Sequence, residues 1–177
     1  QRNSRMLIKI SDWAEKKPVI KKRINGLDRS THGSFECGED LEFIAEAAML
    51  HDIGILETDA PGIKCFGTHR YIEHEYLGAE MIRREGYPRH ALVCERHTGT
   101  GLKLTDIIER ELPVPHRELC PVTMEEQLIC YADKFYSKTR LGEDKPMSKI
   151  RLHLWKYGSD TVNRFDEMQR FFEPQNA

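Results

Sequence analysis

The stretch Ala47-Ala48-Met49-Leu50-His51-Asp52-Ile53-Gly54-Ile55 closes an apolar run with an imidazole and a carboxylate side by side, and a glycine follows. Working back from His51, Leu41, Ile44 and Ala48 recur at helical spacing. The run therefore predicts a helix capped at its start by Asp40 and stopped by Gly54 in the left-handed region. Neighbouring helical residues project about 100° apart, so His51 and Asp52 share a direction only where the helix loosens at its end. There, a neutral imidazole nitrogen and a carboxylate oxygen both suit a divalent metal. The dipeptide alone fits equally well a helix-terminal pair, with histidine at the negative end of the dipole and aspartate in solvent.

The rest of the chain has helical periods too. Thr68 is placed to cap a second helix with Tyr71, Ile72, Leu77, Met81 and Ile82 inward and Gly86 past its end. Pro88 suits the first turn of a third helix, which carries Leu92, Val93 and His97. Thr123 and Glu126 form a capping-box pattern ahead of an apolar face of Leu128, Ile129, Ala132, Phe135 and Tyr136 that runs through Asp133. A short helix is expected over 105–110, and after a polar loop at 142–146 one or two amphipathic helices bury Val162, Phe165, Met168 and Phe172. Nearer the start, Leu7, Ile10, Trp13 and Ala14 fit one helical face, Ile20, Ile24 and Leu27 continue it, and 25–40 reads as a loop. No alternating strand pattern is present, so the expected fold class is all-α, a compact multi-helix bundle in one domain over 1–177.

Composition narrows the class of function. A chain of 177 residues with 39% hydrophobic and 32% charged residues suits one domain with a single core. No apolar run is long enough to cross a bilayer, and the first residues lack a secretory core, so no membrane partner is expected and the expected location is cytoplasmic. Five cysteines without a CxxC pair read as reduced packing thiols. Residues 1–35 hold nine Lys or Arg against three acids, a segment that either meets an anionic ligand or forms a solvated helix face. The net charge of −2 leaves no nucleic-acid footprint.

Polar residues set into apolar faces point to a site. Asp133 lies inside LICYADKFYS, where a buried carboxylate is costly without a cation or several donors. His97 ends ALVCERH before a Thr-Gly-Thr-Gly turn, and His74 lies within YIEHEYLGAEMI. Over about 40–138, the ordered series EAAMLHDIG, GTHRYIEHEYLGAEMIRREGYP, VCERHTG and YADKF resembles the HDIG branch of the HD-domain superfamily of metal-dependent phosphohydrolases. The resemblance implies a helical fold with His51, Asp52 and Asp133 as metal ligands, joined in fuller sites by histidines at the positions of His74 and His97. The implied cofactor is a divalent ion, from among Mn, Fe, Co, Ni, Mg and Zn.

His90 falls on nearly the same helical stripe as His97 but sits beside Pro88 and Arg89, and the family motif selects His97. His69, His116 and His153 read as loop or surface residues. The chain departs from the family pattern twice. The only histidine upstream of the HD pair is His32, in an apparent loop, and Ile55 stands where many relatives carry lysine. Lys134, Arg96 or Arg70 would then supply the cation that holds phosphate.

The expected function is hydrolysis of a small phosphate monoester, diester or anhydride, nucleotides among them, through metal-activated water. Asp52 would help orient the water, while His74 and His97 would bind a second metal or donate hydrogen bonds to the substrate phosphate. An alternative is a non-catalytic metal- or nucleotide-binding module with an incomplete site. A third reading is a helical interaction protein with incidental histidines, which would take up no stoichiometric metal.

Overall fold

The computed structural model describes residues 37–137 and 144–173, so His32 and the expected N-terminal helical face lie outside the described residues. Among the described residues seven α-helices follow one another: α1 (Cys37–Leu50), α2 (His74–Arg84), α3 (Pro88–Arg96), α4 (Leu104–Glu109), α5 (Met124–Asp133), α6 (Met147–Trp155) and α7 (Ser159–Phe172). The all-α expectation holds, with one small addition. Between α1 and α2, the two-residue strands β1 (Asp59–Ala60) and β2 (Cys65–Phe66) pair antiparallel, Asp59 opposite Phe66. No described helix is long and apolar enough to cross a membrane.

Local signals set most helix ends. The Thr123 hydroxyl accepts the Glu126 N–H at 3.3 Å, and the Glu126 carboxylate reaches back to the Val122 N–H at 2.7 Å, one residue before the cap. Gly86, at φ 88°, ends the α2 segment in the left-handed conformation, and Pro88 opens α3. Two expected starts move. α1 begins at Cys37 rather than after Asp40. α2 is preceded by a 3₁₀ turn over Tyr71–Glu73, entered at Arg70, whose N–H is taken by the Glu73 carboxylate at 2.6 Å, so Thr68 does not cap it.

α5 is the centre of the core. Leu128, Ile129, Cys130, Tyr131 and Ala132 are consecutive and fully buried, the mark of a helix surrounded on all sides. Phe43, Ile44, Ala47 and Ala48 of α1 join this cluster, as do Ile150, Leu154, Phe165, Met168 and Phe172 of α6 and α7. The Tyr131 ring lies 5.3 Å from Phe165 and 5.7 Å from Phe172, centroid to centroid. Truncating such a ring to alanine costs roughly 3–5 kcal/mol.

Gly54 corrects the expectation drawn from the opening stretch. It is not left-handed; it lies in a 3₁₀ turn, Ile53–Glu57, pressed against the start of α2. A Cβ there would sit 2.1 Å from the His74 carbonyl oxygen and 2.4 Å from the Gly78 nitrogen. Gly78 answers from α2, where a Cβ would lie 2.9 Å from the Gly54 nitrogen. Two missing side chains thus let α2 lie against the turn that follows His51 and Asp52.

Candidate metal centre

His51, Asp52, His74, His97 and Asp133 come from four helical segments and meet at one buried point. His51 follows the last residue of α1, His97 that of α3, and Asp133 is the last residue of α5. Three helix C-termini therefore converge, and the partial negative charge at each favours a cation between them. His74 enters from the first turn of α2.

The imidazoles are oriented by the backbone. Nδ1–H of His51 donates to the Ala48 carbonyl at 2.7 Å, that of His97 to Cys94 at 2.7 Å, and that of His74 to Tyr71 at 2.6 Å. Each bond reaches back three residues, and at α1 and α3 it also satisfies a carbonyl left over at the helix end. Because a carbonyl only accepts, each neutral ring carries its proton on Nδ1 and turns the lone pair of Nε2 inward.

Those lone pairs face one another and the carboxylates. His74 Nε2 and His97 Nε2 are 3.1 Å apart. One Asp52 oxygen lies 3.4 Å from His74 Nε2 and 3.3 Å from His97 Nε2, and the other lies 3.3 Å from His51 Nε2. Asp133 is 3.5 Å from His51 Nε2. His51 Nε2 is fully buried and has no hydrogen-bond partner among the described residues. Five side chains thus bring nitrogen and oxygen acceptors together in a space where water has little access. That donor set fits a divalent transition metal, and the ligand atoms of His51, Asp52 and His97 all lie within 4.8 Å of one another.

Proton affinities reflect the same field. Burial works against a charge on His51, but the negative charges of Asp52 and Asp133 beside it outweigh burial and push the pKa up to about 10. Burial pushes His97 down to about 4, against the pull of the Asp52 carboxylate and with the charge on His51 adding to the depression. Without a metal, His51 holds the proton and His97 stays neutral.

The expected phosphate-holding cations separate. Lys134 sits at the centre's rim, its Nζ 2.8 Å from Asp133 and donating to the His97 carbonyl at 3.1 Å. Arg96 is drawn away into a two-pronged bond with Glu126, at 3.0 and 2.9 Å. Arg70 is exposed before the 3₁₀ turn, and Ile55 is buried. His90 pairs with Glu46 at 3.1 Å and takes no part in the cluster. His69 pairs with Glu73 at 3.1 Å, and His116 is exposed.

A cavity of about 670 Å³ opens on His74, His97, Asp133 and Lys134. His153 lies on its wall, from α6, rather than in a loop. Sequence reasoning also passed over Glu75, a fully buried acid next to His74 whose oxygens have no hydrogen-bond partner among the described residues. Burial pushes its pKa up to about 8, so it is mostly protonated at neutral pH. Its signal was the stripe Glu75, Gly78, Ala79 and Ile82, which puts the carboxyl on the inward face of α2.

The HD-domain profile matches residues 10–137 of the chain. An uncharacterized protein of Methanocaldococcus jannaschii is 33% identical over 119 residues, 66% of this chain and 63% of that protein. A tRNA (cytidine(56)-2'-O)-methyltransferase of Picrophilus torridus is 31% identical over 103 residues, 58% of this chain and 26% of its own length. The Thermoplasma volcanium protein of the same name is 30% identical over 99 residues, 55% of this chain and 25% of its own length. The chain thus spans less than two thirds of each of these relatives. No solved structure matches it.

Proposed function

The chain belongs to the HD-domain family, and from that premise we propose that it is a metal-dependent phosphohydrolase. Its substrate is a small phosphate monoester, diester or anhydride, a class that includes nucleotides. The observation that carries this reading is the set of inward lone pairs, with His74 Nε2 and His97 Nε2 only 3.1 Å apart. Such a centre is stabilised by a cation.

His51, Asp52, His97, His74 and Asp133 would hold the metal. When bound, it supplies Lewis-acid polarisation of a phosphoryl oxygen and acidifies water towards neutral pH. The inward atoms of His74 and His97 are lone pairs, which favours ligation over donation to a phosphate. Donation falls to Lys134, whose ammonium stands at the cavity wall and is positioned to steady a phosphoryl oxygen. With the metal in place, a carboxylate oxygen of Asp52 would orient the attacking water and take up its proton. Burial of the three imidazoles keeps competing solvent away and strengthens these interactions.

The test combines metal content with turnover. Protein loaded in turn with Mn, Fe, Co, Ni, Mg and Zn is assayed for stoichiometric metal and for hydrolysis of phosphate monoesters, diesters and anhydrides. Turnover that Asp52→Ala and Asp133→Ala each reduce by more than the 10–100-fold cost, on the order of magnitude known for residues outside a coordination shell, supports the enzyme. Stoichiometric metal and tight ligand binding without turnover under any ion would instead make the chain a binding module, and no metal uptake would sink both.

A further inference from the structure

The family match ends at residue 137, yet the cavity is completed by residues beyond it. Lys149, Ile150, His153 and Leu154 of α6 line the wall, with Tyr157 following. Ile150 and Leu154 are buried in the main core and fix the rotation of α6. Lys149 and His153, each one position earlier, stand four residues apart on the neighbouring stripe, so their side chains lie one above the other.

That wall has positive charge to spare. The acids on the cavity lining are engaged: Asp133 lies 2.8 Å from Lys134 and Asp106 lies 4.0 Å from Arg110. Lys149 has no ion-pair partner among the described residues. Partial burial, followed by the charges of Lys156, Lys145 and Lys134, lowers the pKa of His153, so near neutral pH it offers an anion an N–H donor beside the charge of Lys149. Apolar and aromatic groups such as Leu102, Leu112 and Tyr71 make up much of the remaining lining. Two polar stations joined by apolar wall are a pattern that orients one ligand at two points.

We propose that Lys149 and His153 recognise a second anionic group of the substrate, so that the enzyme acts on organic molecules bearing two phosphates. One phosphoryl group meets the His/Asp centre, the other meets α6, and the apolar lining holds the body that joins them. The proposal rests on the phosphohydrolase reading and adds the substrate class. Lys149 and His153 are specificity residues in it, remote from the reacting atoms.

Calorimetric titration of the Mn-loaded full chain tests it with n-hexyl phosphate against the α,ω-bisphosphates of butane, hexane and octane. At least one bisphosphate should bind about tenfold tighter than the monophosphate, the scale of an added charge-assisted hydrogen bond. In a Lys149→Ala/His153→Ala double variant that advantage should fall to about twofold, the statistical factor for two equal ends, with monophosphate affinity unchanged. Lys149→Arg should keep most of the advantage. Equal binding of mono- and bisphosphates, an advantage that survives the double variant, or no detectable bisphosphate binding would overturn the proposal. Hydrolysis of p-nitrophenyl phosphate reports on the phosphohydrolase reading separately. Its absence alongside an α6-dependent advantage would remove the enzyme and leave the two-anion recognition standing.

Discussion

Asp52 and Glu95 are both buried carboxylates, 7% and 2% exposed, and their company differs. Glu95, on α3, is held between the guanidinium groups of Arg83 and Arg117. Asp52 lies against three imidazole nitrogens whose N–H groups are spent on backbone carbonyls. In the first cluster the chain supplies its own cations. In the second it gathers imidazole nitrogens and carboxylates, a donor set that could hold a cation from solution. A buried acid is thus informative through its neighbours: self-neutralised it ties elements together, and left among acceptors it marks a binding centre.

The largest test of this contrast is metal-linked stability. Mn at about 100 times its dissociation constant should add about 2.7 kcal/mol to the unfolding free energy, read as a shift in urea midpoint against chelated protein. Asp52→Ala should erase that shift and Glu95→Gln should keep it. If Glu95→Gln lost it as well, the two clusters would not be independent. Gly54→Ala strikes the lone-pair cluster alone. Its methyl group must displace the His74 carbonyl or Gly78, costing roughly 1–3 kcal/mol and lowering metal stoichiometry, measurable by denaturation and elemental analysis. Unchanged metal content in a folded Gly54→Ala protein would show that the close approach does not place His74. Glu95→Gln itself should cost about 1–2 kcal/mol by weakening the bonds to two arginines that can turn towards solvent.

The same contrast extends to pH. In metal-free protein the His51 pKa is raised from 6.5 to about 10, so its contribution is full below 6.5 and is lost as pH rises through about 10. His97, lowered from 6.5 to about 4, acts in the opposite sense: the fold loses stability as pH falls from 6.5 through about 4. Denaturation of chelated protein across this range should show a decline on both sides. With Mn bound, the alkaline decline should vanish, because His51 Nε2 then holds metal in place of a proton. Persistence of that decline in the loaded protein would place His51 outside the coordination shell.

Much of this centre was legible in the sequence. His51 with Asp52, His74, His97 and Asp133 stood out as polar residues in apolar helical faces, and the structure brings all five together. Their spacing along the chain reflects helical geometry, which local sequence encodes strongly. The pairing of Arg96, a candidate phosphate contact by sequence, with Glu126 is not legible there, because the two stand thirty positions apart and only packing of α3 beside α5 brings them together. Gly54 was legible as a glycine that mattered but not for its reason, since the atoms that exclude a Cβ belong to α2. His153 read as a surface residue, and it is exposed, yet the cavity it faces exists only once α6 is seated on the core.

Sequence by itself determined the helical class, the Thr123, Gly86 and Pro88 boundaries and the chemical kinds of the five central side chains, because these depend on residues within a turn or two. The tertiary structure decided which imidazole nitrogen faces inward and that three helix C-termini share one point. It also decided which cations are consumed by structural acids and which remain beside the cavity. Those outcomes depend on distances between segments far apart in the chain, and burial of the apolar faces around α5 sets them all at once.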